Sequence, residues 1–137
     1  MTDHELLRLA SEAAKQAYAP YSKYPVGAAL LASDGTVFTG CNVENASYGL
    51  TLCAERAAVS AAVTGGHLKI VKVAIVGGTV RQPAWPCGAC RQVLAEFCDP
   101  TTPILVAGRG HVDRWLSRTL DELLPESFHL KKRSRRE

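Results

Sequence analysis

Two short stretches hold the residues whose types and spacing could do chemistry: Cys53-Ala54-Glu55 and, further along, Pro86-Cys87-Gly88-Ala89-Cys90. Each falls where a helix is expected to start, and there the backbone amides and the positive end of the helix dipole favour thiolates. A C-x-x-C pair turns two sulfurs toward one ion, and zinc suits soft thiolates in tetrahedral geometry. Three ligands, Cys53, Cys87 and Cys90, rather than four is the informative count, because a catalytic zinc keeps one position for water. Glu55 lies within one helical turn of the metal without being a ligand, the place for a carboxylate that moves protons in metal-assisted hydrolysis. Alone, the C-x-x-C pair equally fits a redox dithiol or a structural zinc ribbon, and Glu55 alone equally fits a first-turn carboxylate offsetting the dipole. Their combination favours the hydrolytic centre.

One zinc and three thiolates sum to −1, which weakens the metal as a Lewis acid. Arg56 and Arg91 follow the two clusters and are expected to donate hydrogen bonds to the ligand sulfurs, the plainer alternative being two surface arginines. Cys41 and Cys98 have no paired spacing and read as small buried hydrophobes. A non-catalytic zinc-stabilised module would need one of them to close the fourth position.

The elements that must position these groups follow from pattern. Thr2 and Glu5 have capping-box spacing, and Leu6, Leu7, Ala10, Ala14 and Ala17 recur at helical intervals until Pro20. The apolar run Val26 to Ala32, the turn signal Ser33-Asp34-Gly35 and the run Val37 to Gly40 predict a hairpin. Asn42 to Tyr48 reads as a loop, and the alanine-rich stretch from Cys53 to Val63 as a second helix ending before Gly65-Gly66. Ile70 to Val76 predicts a strand buried on both faces, Cys90 to Phe97 a helix, Ile104 to Ala107 a strand, Val112 to Leu116 a last strand, and Leu120 to Leu124 a helical turn. This order argues for an α/β fold, a three-layer α-β-α arrangement around a five-stranded mixed sheet with a parallel crossover between the later strands.

A chain of 137 residues with 47% hydrophobic content suits one domain, placed here at residues 1–130. The formal charge of +3 comes from the end of the chain: Lys131 to Glu137 holds five cationic residues and one acidic one, leaving residues 1–130 at −1. Residues 131–137 are therefore expected to be a basic, solvated tail, and binding to nucleic acid is not expected of the rest. The N-terminus lacks the pattern of a signal peptide and no run reaches membrane-spanning length, so a cytoplasmic protein with reduced thiols is expected.

The motifs Cys53-Ala54-Glu55-Arg56 and Pro86-Cys87-Gly88-Ala89-Cys90-Arg91-Gln92 resemble those of the small cytidine deaminases of pyrimidine salvage. So do Tyr18 to Lys23, Val26 to Ala29, Gly40 to Ala46 and Leu123-Leu124-Pro125, in order and at similar spacing. The resemblance implies one Zn2+ per subunit on Cys53, Cys87 and Cys90, with Glu55 as acid and base in replacing the C4 amino group of cytidine or deoxycytidine by water. It also implies that Asn42 and Glu44 hold the ribose hydroxyls, that the Ala54 amide meets the base carbonyl, and that the backbone around Trp85 and Pro86 meets the leaving amine. Ala46 and Tyr48 from one neighbouring subunit and Phe128 from another would complete the pocket, in a homotetramer. Tyr24 stands where a phenylalanine is usual, and Trp85 where a small residue is usual. A deaminase of bases within RNA or DNA has His as its first ligand, a place taken here by Cys53.

Overall fold

The computed structural model describes residues 1–132; residues 133–137, most of the expected basic tail, lie outside the described part. A first helix, α1 (Asp3–Ala14), opens on the capping box: the Glu5 amide donates to Thr2 Oγ1 at 3.1 Å and the Thr2 amide to Glu5 Oε2 at 2.8 Å. It ends three residues before Ala17, earlier than the apolar spacing suggests. The chain is drawn away because Tyr18 bridges to Val43, its amide donating to the Asn42 carbonyl at 3.0 Å.

The hairpin consists of β1 (Val26–Ala32) and β2 (Val37–Cys41). Then come α2 (Ala54–Thr64), β3 (Ile70–Gly77), α3 (Gly88–Phe97), β4 (Pro103–Ala107), β5 (Leu116–Thr119) and the short α4 (Leu120–Leu123). The expected last strand at Val112 to Leu116 is displaced. Residues 112–114 form turns, and pairing with β4 begins only at Leu116, opposite Val106. Gly110, with φ of 77°, turns the chain before that segment, so the strand is offset rather than missing.

The five strands form one mixed sheet in the order β2-β1-β3-β4-β5, with β3 and β4 parallel and every other pair antiparallel. Alternation along the strands divides the core. Ala29, Ala74, Val76, Leu105 and Ala107 face Leu6, Leu7 and Ala10 of α1, whereas Ala28, Leu30, Val73, Ile75, Ile104 and Val106 face Ala58, Ala62 and Leu94 of α2 and α3. These are the three layers expected from the pattern.

The register determines where a site can form. Val26 pairs with Gly77 and Gly27 with Cys41, so the start of β1, the end of β2 and the end of β3 meet at one edge of the sheet. That edge is the carboxyl end of β3, where the crossover to β4 leaves the sheet. Helix α2 comes unusually close there: a Cβ on Gly40 would lie 2.5 Å from the Ala58 amide nitrogen and 2.6 Å from the Ala54 carbonyl oxygen. Gly27 allows the same approach on the other face, where a Cβ would fall 2.0 Å from the Ala10 carbonyl oxygen. Both Gly40→Ala and Gly27→Ala should destabilise the fold by about 1–3 kcal/mol in urea unfolding. Only Gly40→Ala, which displaces the start of α2, should also lower metal retention on dialysis.

Candidate active site

Helices α2 and α3 both begin on a cysteine. Cys53 is the N-cap of α2 and Cys87 that of α3, each with extended backbone angles, and neither side chain closes a capping hydrogen bond. N-cap positions ordinarily use a side-chain oxygen to satisfy the first amides. Here both thiols turn instead toward a common point that Cys90, in the first turn of α3, also reaches. The three Sγ atoms lie within 4.8 Å of one another.

That spacing suits zinc. Four-coordinate zinc with Zn–S bonds of about 2.3 Å requires sulfurs about 3.8 Å apart, compatible with that limit. The protonation pattern points the same way. Burial pushes the Cys90 thiol up, and the nearby Glu55 carboxylate and Cys53 push it further. Cys87 is held below its ordinary value. Burial opposes this, but the Cys90 and Ala89 amides lie close enough to favour the thiolate without closing a capping bond, and the Cys90 and Cys53 thiols add to the effect. Crowded sulfurs that cannot all ionise unaided are what a dication relieves.

Arg56 donates from Nη2 to Cys53 Sγ at 3.2 Å, and this bond is the main reason its guanidinium is held even more firmly protonated than usual. Its Nε is buried with no hydrogen-bond partner among the described residues. Arg91 departs from expectation. It donates from Nε to the Pro86 carbonyl at 2.7 Å and from Nη1 to the Leu123 carbonyl at 2.8 Å. It therefore braces the loop that presents Cys87 instead of bonding to a sulfur, because its side chain leaves α3 on the side facing the end of α4.

Glu55 is the second residue of α2 and only 4% exposed. Burial raises its carboxyl pKa against the opposing pull of its own amide, Cys90 and Arg56. It lines a cavity of about 460 Å³ together with Cys53, Ala54 and Cys87, and with Ala84 and Trp85 from the loop before α3. The opposite wall is formed by Ser22, Tyr24, Val26, Asn42, Glu44 and Thr51.

Residues 43–52 are closed into a loop just before α2 by paired bonds between Val43 and Leu52, both at 2.9 Å. Asn42, buried, accepts at Oδ1 from the Val26 amide and donates from Nδ2 to the Tyr24 carbonyl, each at 2.9 Å. Glu44 accepts from the Tyr21 and Ser22 amides at 3.0 and 3.1 Å and from the Ser22 hydroxyl. The Ser22 hydroxyl bond is the chief reason its carboxyl pKa is lowered. Ser22 was not singled out from sequence, although it sits in the Tyr18 to Lys23 segment; a short polar residue in a turn carries no signal that it will anchor a distant carboxylate.

Ala46, Tyr48 and Phe128 do not line this cavity. Tyr48 is 75% and Phe128 66% exposed, although the Phe128 carbonyl is tied to α3 through Gln92 Nε2 at 3.0 Å. Cys41 and Cys98 are half-buried rather than fully buried and lie apart from the three-sulfur cluster. Burial pushes the Cys98 thiol up to about 12.

Residues 1–106 match the model of the "cytidine and deoxycytidylate deaminase zinc-binding region". This chain belongs to that deaminase family. The cytidine deaminase of Sporosarcina psychrophila is 46% identical over 129 residues, covering 93% of this chain and 92% of its own length. That of Halalkalibacterium halodurans is 48% identical over 124 residues, covering 90% and 91%. The crystal structure of cytidine deaminase from Burkholderia pseudomallei superposes with a TM-score of 0.86 at 45% identity, covering 93% of this chain and all of that one. The chain is thus an enzyme of the zinc-dependent deaminase class, built on the same mixed sheet as its structural neighbours. Removing one sulfur leaves too few ligands for a stable site, so Cys87→Ser should abolish stoichiometric zinc in metal analysis. Arg56→Met should weaken zinc retention about 10- to 100-fold in chelator competition, as loss of a partner to a ligand typically does.

Proposed function

We infer that this enzyme hydrolytically deaminates cytidine and deoxycytidine to uridine and deoxyuridine, releasing ammonia, with Cys53, Cys87 and Cys90 as zinc ligands and Glu55 as the proton carrier. The observation that carries this reading is a buried carboxylate one residue beyond Ala54, lining the same cavity as Cys53 and Cys87, with the sulfurs of these two and Cys90 within 4.8 Å of one another. Three protein ligands leave one coordination position for water. Zinc, when bound there, lowers the pKa of a water molecule toward about 7 and makes it a nucleophile at neutral pH.

The remaining work falls to the protein. Glu55 accepts one proton of the water and delivers it to ring nitrogen N3 as the hydroxide oxygen bonds to C4. It then carries the remaining hydroxyl proton to the amino group, so that the C4–N bond breaks, ammonia leaves and the C4 carbonyl forms. Its burial raises the carboxyl pKa, which favours taking up the proton that the water gives up. The Ala54 amide, at the cavity wall, is proposed to meet the base carbonyl, and the backbone around Trp85 and Pro86 the leaving amine.

Asn42 and Glu44 are proposed to hold the ribose. After its two backbone contacts, Asn42 keeps one N–H and one lone pair for a hydroxyl, and ionised Glu44 remains an acceptor. A free nucleoside suits this arrangement better than a base in a polymer, because residues 1–130 carry no net positive charge with which to bind phosphates.

The exposed Tyr48 and Phe128 support a shared active site in which Ala46 and Tyr48 from one neighbour and Phe128 from another complete the pocket of a homotetramer. No helix among the described residues is long and apolar enough to cross a membrane, and the free thiols suit a reducing cytoplasm. The basic residues 131–137 are proposed to be an appendage to a single catalytic domain.

Glu55→Gln should keep its zinc and lose turnover by roughly 10²- to 10⁴-fold in an assay of ammonia release from cytidine. Near-normal turnover in that variant would remove Glu55 from the mechanism. Sedimentation should give four times the mass of the chain, and Phe128→Ala should raise KM for cytidine several-fold; a monomer with unchanged KM would dispose of the shared pocket.

A further inference from the structure

The indole of Trp85 is the largest group of the cavity wall to which the metal and proton chemistry gives no task. It stands between Ala84 and Pro86, immediately before the cysteine that starts α3. Trp85 is half-buried, packs with Ala84 against the core beneath α2 and α3, and lines the cavity together with Glu55 and Cys87. Arg118 of β5 covers the ring, its guanidinium carbon 5.7 Å from the centroid. Arg118 otherwise donates to the neighbouring Ser117 carbonyl at 2.8 Å and takes part in none of the ion pairs among the described residues. The aromatic face is thus a principal neighbour of that cation.

The cavity has a direction. Its sugar end is marked by Ser22, Asn42 and Glu44, and its reacting end by Cys53, Glu55 and Cys87. On the deaminase reading, a pyrimidine with C4 at the reacting end has its amino group and the adjoining C5 facing the wall of Ala84 and Trp85. A small residue before Pro86 would leave that edge open, whereas an indole held from behind by Arg118 limits it.

We propose that Trp85, braced by Arg118, is a specificity-determining residue that restricts this enzyme to pyrimidine nucleosides unsubstituted on the exocyclic nitrogen. The inference rests on the deaminase reading and adds a steric limit to it. Trp85 acts by filling space at the amino edge. Arg118 acts through Trp85 as a positioning residue and does not touch the substrate.

The test compares cytidine with N4-methylcytidine as substrates of the zinc-loaded enzyme, and reads the ratio of their kcat/KM values. Trp85→Ser should shift that ratio at least tenfold toward N4-methylcytidine. Arg118→Gln, which removes the cation without replacing a pocket residue, should shift it about threefold in the same direction with kcat for cytidine nearly unchanged. If indole only packs the core, both variants lose stability with the ratio unmoved, and that result overturns the proposal. A wild-type enzyme that releases no ammonia from cytidine overturns the deaminase reading and this proposal with it; an unmoved ratio in an enzyme active on cytidine overturns this proposal alone.

A second readout does not depend on turnover. With only two tryptophans in the chain, Trp115→Phe leaves Trp85 as the sole indole emitter. Its fluorescence should change saturably on titration with uridine, and its free-state emission should shift when Arg118→Gln is added. Emission indifferent to saturating uridine would place the indole away from the base and refute the assignment.

Discussion

Three sulfurs and a carboxylate crowd one point, with Cys90 and Glu55 buried, Cys53 half-buried and Cys87 exposed, and much of the structure can be understood as managing that charge. Two helices donate their starts to it, so the amides that elsewhere would be capped by hydroxyls or carboxylates face thiols. The guanidinium of Arg56 bonds to one sulfur, and the Cys87 and Cys90 thiols are driven in opposite directions. A dication held there would let the crowded thiols ionise together beside the Arg56 guanidinium. The proposed chemistry and the local stability would then draw on the same ion.

The sheet makes such crowding attainable. Antiparallel pairing of β1 with β2 and β3 brings Val26, Cys41 and Gly77 to one edge, and the parallel step from β3 to β4 requires a crossover that starts at that edge. The Cys87 and Cys90 pair lies in this crossover. Helix α2 reaches the same place from the other side by pressing its first turn onto Gly40, which brings Cys53 and Glu55 toward Cys87 and Cys90. Arg91, tied to the Pro86 and Leu123 carbonyls, then links the ligand loop to the C-terminal end of the fold.

Much of this was legible in the sequence because the informative residues are local. The Cys53-Ala54-Glu55 and C-x-x-C spacings each belong to one helix start, and the β-branched run of β3 marks a strand covered on both faces. Elements whose limits depend on distant partners were less legible. The end of α1 is set by Tyr18 joining Val43, and the placement of β5 by the edge that β4 offers, neither of which leaves a periodic trace. Arg91 shows the same limit: its neighbours in sequence suggest a sulfur, but its partner on α4 is far along the chain. Ser22 became visible only once Glu44 had been folded back onto it.

The hydrogen bonds of Asn42 and Glu44 separate two kinds of constraint within one cavity. Asn42 is anchored to the main chain at Tyr24 and Val26, and Glu44 to the Tyr21 and Ser22 amides and the Ser22 hydroxyl, so their orientation depends on the backbone path of residues 21–26 and on one serine side chain. Tyr24 and Trp85, by contrast, contribute bulk. A lineage can therefore exchange the aromatic walls, and with them the range of bases admitted, while the grip proposed for the sugar stays intact. Diversification of this enzyme would be modular, with an invariant handle and a replaceable gauge.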